Sequence, residues 1–357
     1  MEHNTFAARR QAGRIAPWVL ALAVTALAGC GGSDPPVAVV PPATPVIPAP
    51  VVTPAPVLVG NTRGNNVVSL DRDTGAYQSD FIAAGSGGLT DPDDLTFGPD
   101  GNLYVSSGSN TGGQILRYDG KTGAFLGVFA SAPSMKRPYG NAFGPDGHLY
   151  VASFRSDQIL KFDGSTGAFL SVFAQGDGTA AGLLNGPNDL LFGADGKLYV
   201  TTQGSVADNT GGITYLHNSE VLRYDVGTGV GEVFAPAPTP TPGGAGFISL
   251  LGLAFGPDGL LYTTDFAGGI RSYNTATKAL VQTIDTGKLF GGTIATTVGN
   301  LLFGADASLY APVFNSSGGS QVANGLAKCS VTAGSCVLLA TNNTNLLRPI
   351  GIATAKP

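Results

Sequence analysis

Four residues before the glycine of a recurring Phe-Gly pair the chain places Asp94, Gly140, Asp189, Gly252 and Asn300, so oxygen-bearing side chains alternate with glycine at one repeated position. Asp93 and Asn188 stand one residue earlier and Asn141 one residue later. Carboxylate and amide oxygens brought to a common axis suit a hard cation, Ca2+ or Mg2+, or a polyhydroxylated ligand. On this reading Asp94, Asp189 and Asn300 are the metal candidates. Asn141, Asn188 and Arg155 complete the candidate ligand-binding set, with Arg137 and Arg348 as further cations for an acidic ligand. A structural role competes, because Asp and Asn at strand starts commonly cap loops and satisfy backbone amides. No catalytic residue is assigned. His148 follows a Pro-Asp-Gly turn, and His217 lies in a long insertion near Tyr215 and Glu220. There is no G-x-S-x-G elbow or phosphate-binding glycine loop. Asp71-Arg72-Asp73-Thr74-Gly75 opens like a calcium loop but has no Glu at the twelfth position, so it reads as a turn.

These residues sit in a repeat. DLTFGPDGNLYVSS (94–107), NAFGPDGHLYVAS (141–153), DLLFGADGKLYVTT (189–202), GLAFGPDGLLYTTD (252–265) and NLLFGADASLYAPV (300–313) place their turn aspartates at 100, 146, 195, 258 and 306. Spacings of 46, 49, 63 and 48 residues lie in the period range of propeller blades. Each unit reads as four short strands, A to D, with Pro-Asp-Gly supplying the A–B turn and Thr-Gly the C–D turn. Residues 57–82 match B, C and D without an A, and RPIGIATA (348–355) matches the A strand of RPYGNAFG (137–144) without a B. Together they complete a sixth blade, which closes the ring without free sheet edges. The expected fold is therefore an all-β, six-bladed β-propeller of four-stranded antiparallel blades. Composition agrees: 53 Gly and 24 Pro in 357 residues, with 12% charged residues, argue against long helices. A net charge of −5 without a clustered basic face argues against a nucleic-acid partner.

The unit RPYGNAFGPDGHLYVASFRSDQILKFD (137–163) resembles the NHL repeat. The six-blade closure is similar to the superfamily of NHL proteins, streptogramin lyase-like proteins and the gluconolactonase (senescence-marker) family, over residues 57–355. Pro187-Asn188-Asp189 resembles the Pro-Asn-Asp of the gluconolactonase family, whose Asn and Asp contact substrate and metal at the channel mouth. Gly186 stands where that family has a substrate-binding Arg, and no Glu falls in the first blade. Streptogramin lyases use channel histidines with Mg2+, and no histidine here falls in a channel column. In a propeller the A–B and C–D turns share one face and the D–A and B–C loops the other. The second set carries the irregular segments 175–187, 203–219, 235–249 and 314–326 and is the expected binding face.

Arg9, Arg10 and Arg14 precede an apolar run from Ile15 to Leu27, which ends in Leu27-Ala28-Gly29-Cys30. This resembles a bacterial lipoprotein signal. It implies cleavage of residues 1–29, lipidation of Cys30 and, with Gly31 next, sorting to the outer membrane. Residues 30–56 then form the lipidated cysteine and a Pro-rich tether, and 57–357 the propeller. Cys329 and Cys336 flank a C–D turn and are expected to form a disulfide. Two functions fit these features. One is a monomeric, envelope-anchored binding or scaffold module for a protein or glycan partner, touching the membrane only through its lipid. The other is a metal-dependent hydrolase of lactonase type with a cation at the channel mouth.

Overall fold

The computed structural model describes residues 54–179, 183–208, 210, 212–240, 247–287, 289–291, 296–315, 323–340 and 343–355. The expected signal, Cys30 and most of the tether lie outside the described residues.

The described chain folds into six antiparallel blades. Blade 1 is the split one: Pro349–Thr354 pairs with Val57–Asn61, followed outward by Asn66–Leu70 and Tyr77–Ile82. The closing register sets Val57 opposite Thr354 and Val59 opposite Ile352. Blade 2 has strands Leu95–Phe97, Leu103–Ser109, Gly112–Tyr118 and Phe125–Ser131. Blade 3 has Pro138–Phe143, Leu149–Ser153, Gln158–Phe162 and Phe169–Gln175. Blade 4 has Pro187–Phe192, Leu198–Thr202, Val221–Tyr224 and Gly231–Ala235. Blade 5 has Leu250–Phe255, Leu260–Asp265, Ile270–Asn274 and Leu280–Ile284. In blade 6 the inner strand is broken into Thr296–Val298 and Leu302–Phe303, beside Leu309–Asn315, Asn324–Ser330 and Ser335–Leu338.

The core lies between blades. Each blade face is apolar, so each pair of neighbours buries one cluster, such as Leu58, Val67 and Ile82 of blade 1 against Leu95, Leu103 and Val105 of blade 2. The ring closes the same way, with Tyr310 and Leu326 of blade 6 packed on Val57 and Val59 of blade 1.

The repeated turn is locked by a tyrosine. In five blades the tyrosine four residues after the turn aspartate donates its hydroxyl to that carboxylate: Tyr104 to Asp100, Tyr150 to Asp146, Tyr199 to Asp195, Tyr262 to Asp258 and Tyr310 to Asp306. The C–D turns use an Asp-Thr pair. Asp71 Oδ1 accepts from Thr74 N and Thr74 Oγ1, as Asp119, Asp163 and Asp225 do from their own threonines. The 71–75 segment is thus a turn of the same kind as its repeats. The 203–219 insertion of blade 4 forms an additional hairpin, Ser205–Ala207 with Ile213–Tyr215. Cys329 and Cys336 are register partners in blade 6 and form a disulfide.

Candidate functional site

The inner strands carry a bulge at the position that alternates between oxygen and glycine. Between Pro187 and Leu190 blade 4 spends one residue more than its partner strand, and blade 3 does so between Pro138 and Asn141, blade 5 between Leu250 and Leu253. A bulge turns side chains out of the pleat alternation, and here it aims them at the next blade. Asp94 Oδ2 accepts the Asn141 N–H at 2.8 Å, and Asp189 Oδ2 accepts the Leu253 N–H at 2.7 Å. Each acid thus bonds the residue just after the glycine of the following blade. The glycines are required by approach: a Cβ on Gly140 would stand 2.7 Å from Asp189 Cα, and one on Gly252 2.6 Å from Asn300 Cα.

Around Asp94 the expected site residues converge. Asn141 Nδ2 and Asn300 Nδ2 both donate to it, at 3.2 and 3.1 Å. Asp189 is close enough for the Asp94 charge to act on it, yet its own oxygens go to Leu190 N and Leu253 N. Burial raises the pKa of Asp94, and burial reinforced by the Asp94 charge raises that of Asp189 well above the usual carboxylate range. These residues fit a cation poorly. Every carboxylate oxygen of the pair already accepts a hydrogen, and Asn300 presents an N–H to Asp94. Among the described residues no group of three or more His, Cys, Asp or Glu side chains is placed to hold a metal.

Asn188 and Arg155 lie elsewhere. They line a cavity of 890 Å3 that opens among the D–A and B–C loops. Its floor is the ring of residues preceding the bulge position, with Asp93, Tyr139, Asn188, Leu251 and Ile350 each from a different blade. Asp93 is 5% exposed, and burial pushes its pKa up to about 8, reinforced by Asp91 and opposed by Arg137 and Arg348. The half-buried Tyr139 beside it is pushed up to about 12, by desolvation first and the Asp93 charge second. Arg137 is engaged on all sides: Nε donates to the Tyr139 hydroxyl at 3.0 Å, Nη1 to Asn110 Oδ1 at 3.1 Å, and Nη2 pairs with Asp91. The walls come from the insertions, including Tyr215 and His217 of the 203–219 insertion and Phe247 and Phe266 of blade 5.

No protein-family model matches the chain, and no curated protein matches it. Among solved structures it is similar to a protein of unknown function from Bacteroides caccae, with a TM-score of 0.58 and 15% identity over 85% of this chain and 100% of that one. It is equally similar to a chain of a nidogen/laminin complex, with a TM-score of 0.59 and 15% identity over 85% of this chain and 98% of that one. A streptogramin B lyase also matches, at a TM-score of 0.47 and 15% identity over 83% of this chain and 93% of that one. The likeness is one of fold, in which propellers of different activity share a scaffold.

Two buried devices hold the loop face. Arg271 and Asp265, each 1% exposed, pair at 3.0 Å. Arg271 Nη2 also donates to the Thr239 carbonyl, and Asp265 Oδ1 accepts from Ser249 N and Ala267 N, so both blade 5 loops are tied to the pair. Asp157 accepts from Gly186 N at 2.8 Å and from Ala207 N at 2.7 Å, fixing the start of blade 4 and its additional hairpin. Gly186 cannot be replaced by a larger residue in this setting. Its φ is +64°, and a Cβ would stand 2.1 Å from Ser205 Oγ.

Sequence reasoning did not single out the floor as a set. The signal was present: Asp91, Arg137, Gly186 and Arg348 each precede a proline at or just before the start of an inner strand, and all four have positive φ.

Proposed function

We propose that the chain is an envelope-anchored binding module that receives a protein or glycan partner on the face formed by its D–A and B–C loops. The supporting observation is the 890 Å3 cavity, lined by loops and strand starts of several blades and held by the buried Arg271–Asp265 pair. Irregular loops fixed on a rigid scaffold are a common site of recognition. The anchor rests on the lipoprotein-like signal ending at Cys30, with the outer membrane as its destination. The hydrolase reading draws less support, because Asp94 and Asp189 spend their oxygens on backbone and side-chain amides.

The test immobilises the full chain and probes it with envelope extract and a glycan array. The wild type is compared with the double variant Tyr215→Ala, Phe247→Ala on the loop face and with Lys121→Ala on the opposite face. A partner kept by wild type and Lys121→Ala but lost by the double variant supports the reading. Equal retention by all three, or loss in Lys121→Ala alone, overturns it.

A further inference from the structure

Two titratable side chains on the cavity floor, Asp93 and Arg348, feel each other electrostatically but make no side-chain hydrogen bond or ion pair among the described residues. Asp93 is 5% exposed and lines the cavity, and among the described residues its carboxyl takes part in no hydrogen bond. Arg348 lines the same cavity; among the described residues its guanidinium makes neither a hydrogen bond nor an ion pair, and its charge acts on Asp93 and Tyr139. Arg348 is half-buried, and none of its nitrogens is shut away from the cavity, so its guanidinium is open to a bound group from the cavity side. The contrast with Arg137, whose three nitrogens are all engaged, shows that the fold can satisfy an arginine at this mouth when it is a structural one.

Arg348 is also placed with care. Its φ of 58° lies in the left-handed region, which non-glycine residues seldom adopt. The conformation is held because the Arg348 carbonyl accepts both Thr62 N and Thr62 Oγ1, tying it to the first strand of the split blade. Ring closure thereby fixes a cation at the channel mouth. The rest of the cavity says what surrounds the charge. Tyr215, Phe247 and Phe266 supply aromatic surface, and Pro238 and Ile248 aliphatic surface. The volume of 890 Å3 is that of a small-molecule site, within the usual range of about 300 to 1,000 Å3.

We infer that the cavity floor is a site for a small monoanionic carboxylate with an apolar or aromatic body, its carboxylate held by Arg348, a neighbouring oxygen meeting Asp93, and its body resting on Tyr215, Phe247 and Phe266. A guanidinium matches a carboxylate with two parallel hydrogen bonds. A dianion suits the site less, since Arg137 at the same mouth is already neutralised by Asp91. The inference rests on the loop face being the binding face, and it adds the chemistry of what lodges there.

The experiment titrates the full chain with phenylacetate and with phenylacetamide, its uncharged counterpart, by calorimetry and saturation-transfer NMR. The acid is expected to bind about tenfold more tightly than the amide, the worth of one charge-assisted hydrogen-bonded pair. Arg348→Gln is expected to bring the acid down to the level of the amide without altering the amide, Arg348→Lys to retain part of the preference, and inorganic phosphate at equal concentration to leave the acid in place. Thermal melting checks that the variants fold, and the acid-to-amide ratio of the wild type needs no variant. Equal binding of acid and amide, no binding of either, an unchanged preference in folded Arg348→Gln, or displacement by phosphate overturns the inference. Capture of a partner through Tyr215 and Phe247 is read separately, so the ligand class can fail while the loop face stands, and the reverse.

Discussion

Asp94 and Asn300, 206 residues apart in sequence, meet in the channel, where Asn300 Nδ2 donates to Asp94 Oδ1 at 3.1 Å. The other oxygen of Asp94 accepts the backbone N–H of Asn141 in the next blade. One carboxylate therefore joins blades 2, 3 and 6 around the axis, and Asp189 joins blades 4 and 5 in the same manner. The channel polar groups are fasteners of the ring, which is why they recur every second blade opposite a glycine.

Removing a fastener orphans buried amides. Asp94→Ala leaves the Asn141 N–H and the Asn300 side chain without an acceptor, at about 1–3 kcal/mol for each unsatisfied group. A fall in stability of about 2–5 kcal/mol is expected in urea unfolding. Chelation with EDTA is expected to leave the wild-type melting temperature unchanged. A melting temperature that falls on chelation and recovers with Ca2+ would return these carboxylates to a cation.

The buried acids set a pH dependence with a definite sign. Asp93 has a folded pKa of about 8 against an ordinary value of 3.8, so between these values the folded protein holds a proton that the unfolded chain has released. Stability therefore falls as pH rises from about 4 to about 8 and levels off beyond. Asp94 and Asp189, shifted upward as well, steepen the same slope. Asp93→Asn is expected to melt higher than wild type at pH 8 and nearly level with it at pH 4. A variant gain that is larger at pH 4 contradicts the assignment.

The Arg271–Asp265 pair is buried on both sides, so breaking it strands a charge. Asp265→Asn or Arg271→Met is expected to cost about 3–5 kcal/mol, with proteolytic cleavage appearing first between residues 235 and 249. Intact-mass analysis of a limited digest locates the cut, and unchanged resistance there would show that the loops are held by other means.

Gly186→Ala meets both a positive φ and Ser205 Oγ, and is expected to cost about 1–3 kcal/mol. The double variant Gly186→Ala, Ser205→Gly relieves the contact and is expected to recover part of the loss. If Gly186→Ala melts like wild type, the close packing of the additional hairpin on blade 4 is not as described.

The disulfide closes a short hairpin, so its reduction is expected to lower stability by only about 2 kcal/mol. Non-reducing mass spectrometry after alkylation should show Cys329 and Cys336 unlabelled; labelling of both contradicts the bond.

Much of this molecule was determined by sequence alone. The five Phe-Gly-x-Asp turns, the half-units at 57–82 and 348–355 and the Cys329/Cys336 hairpin are local or periodic features, and a repeat that buries its faces only against its neighbours leaves the ring as the solution. The alternation of Asp94, Gly140, Asp189, Gly252 and Asn300 was legible too, but not its meaning. Ligand and fastener use the same side chains, and only the bulged inner strands, which turn Asp94 toward Asn141 N and Asp189 toward Leu253 N, decide between them. The tyrosine locks of the turns were equally invisible as bonds, although both partners lie four residues apart in every repeat. The cavity floor depended wholly on tertiary structure. Asp93 and Arg348 are 255 positions apart in the chain, and they share a floor because ring closure sets Gly351 against the Asp93 carbonyl, within 2.8 Å of where its Cβ would stand. No periodicity along the chain encodes which side chains that closure satisfies and which it leaves open to a ligand.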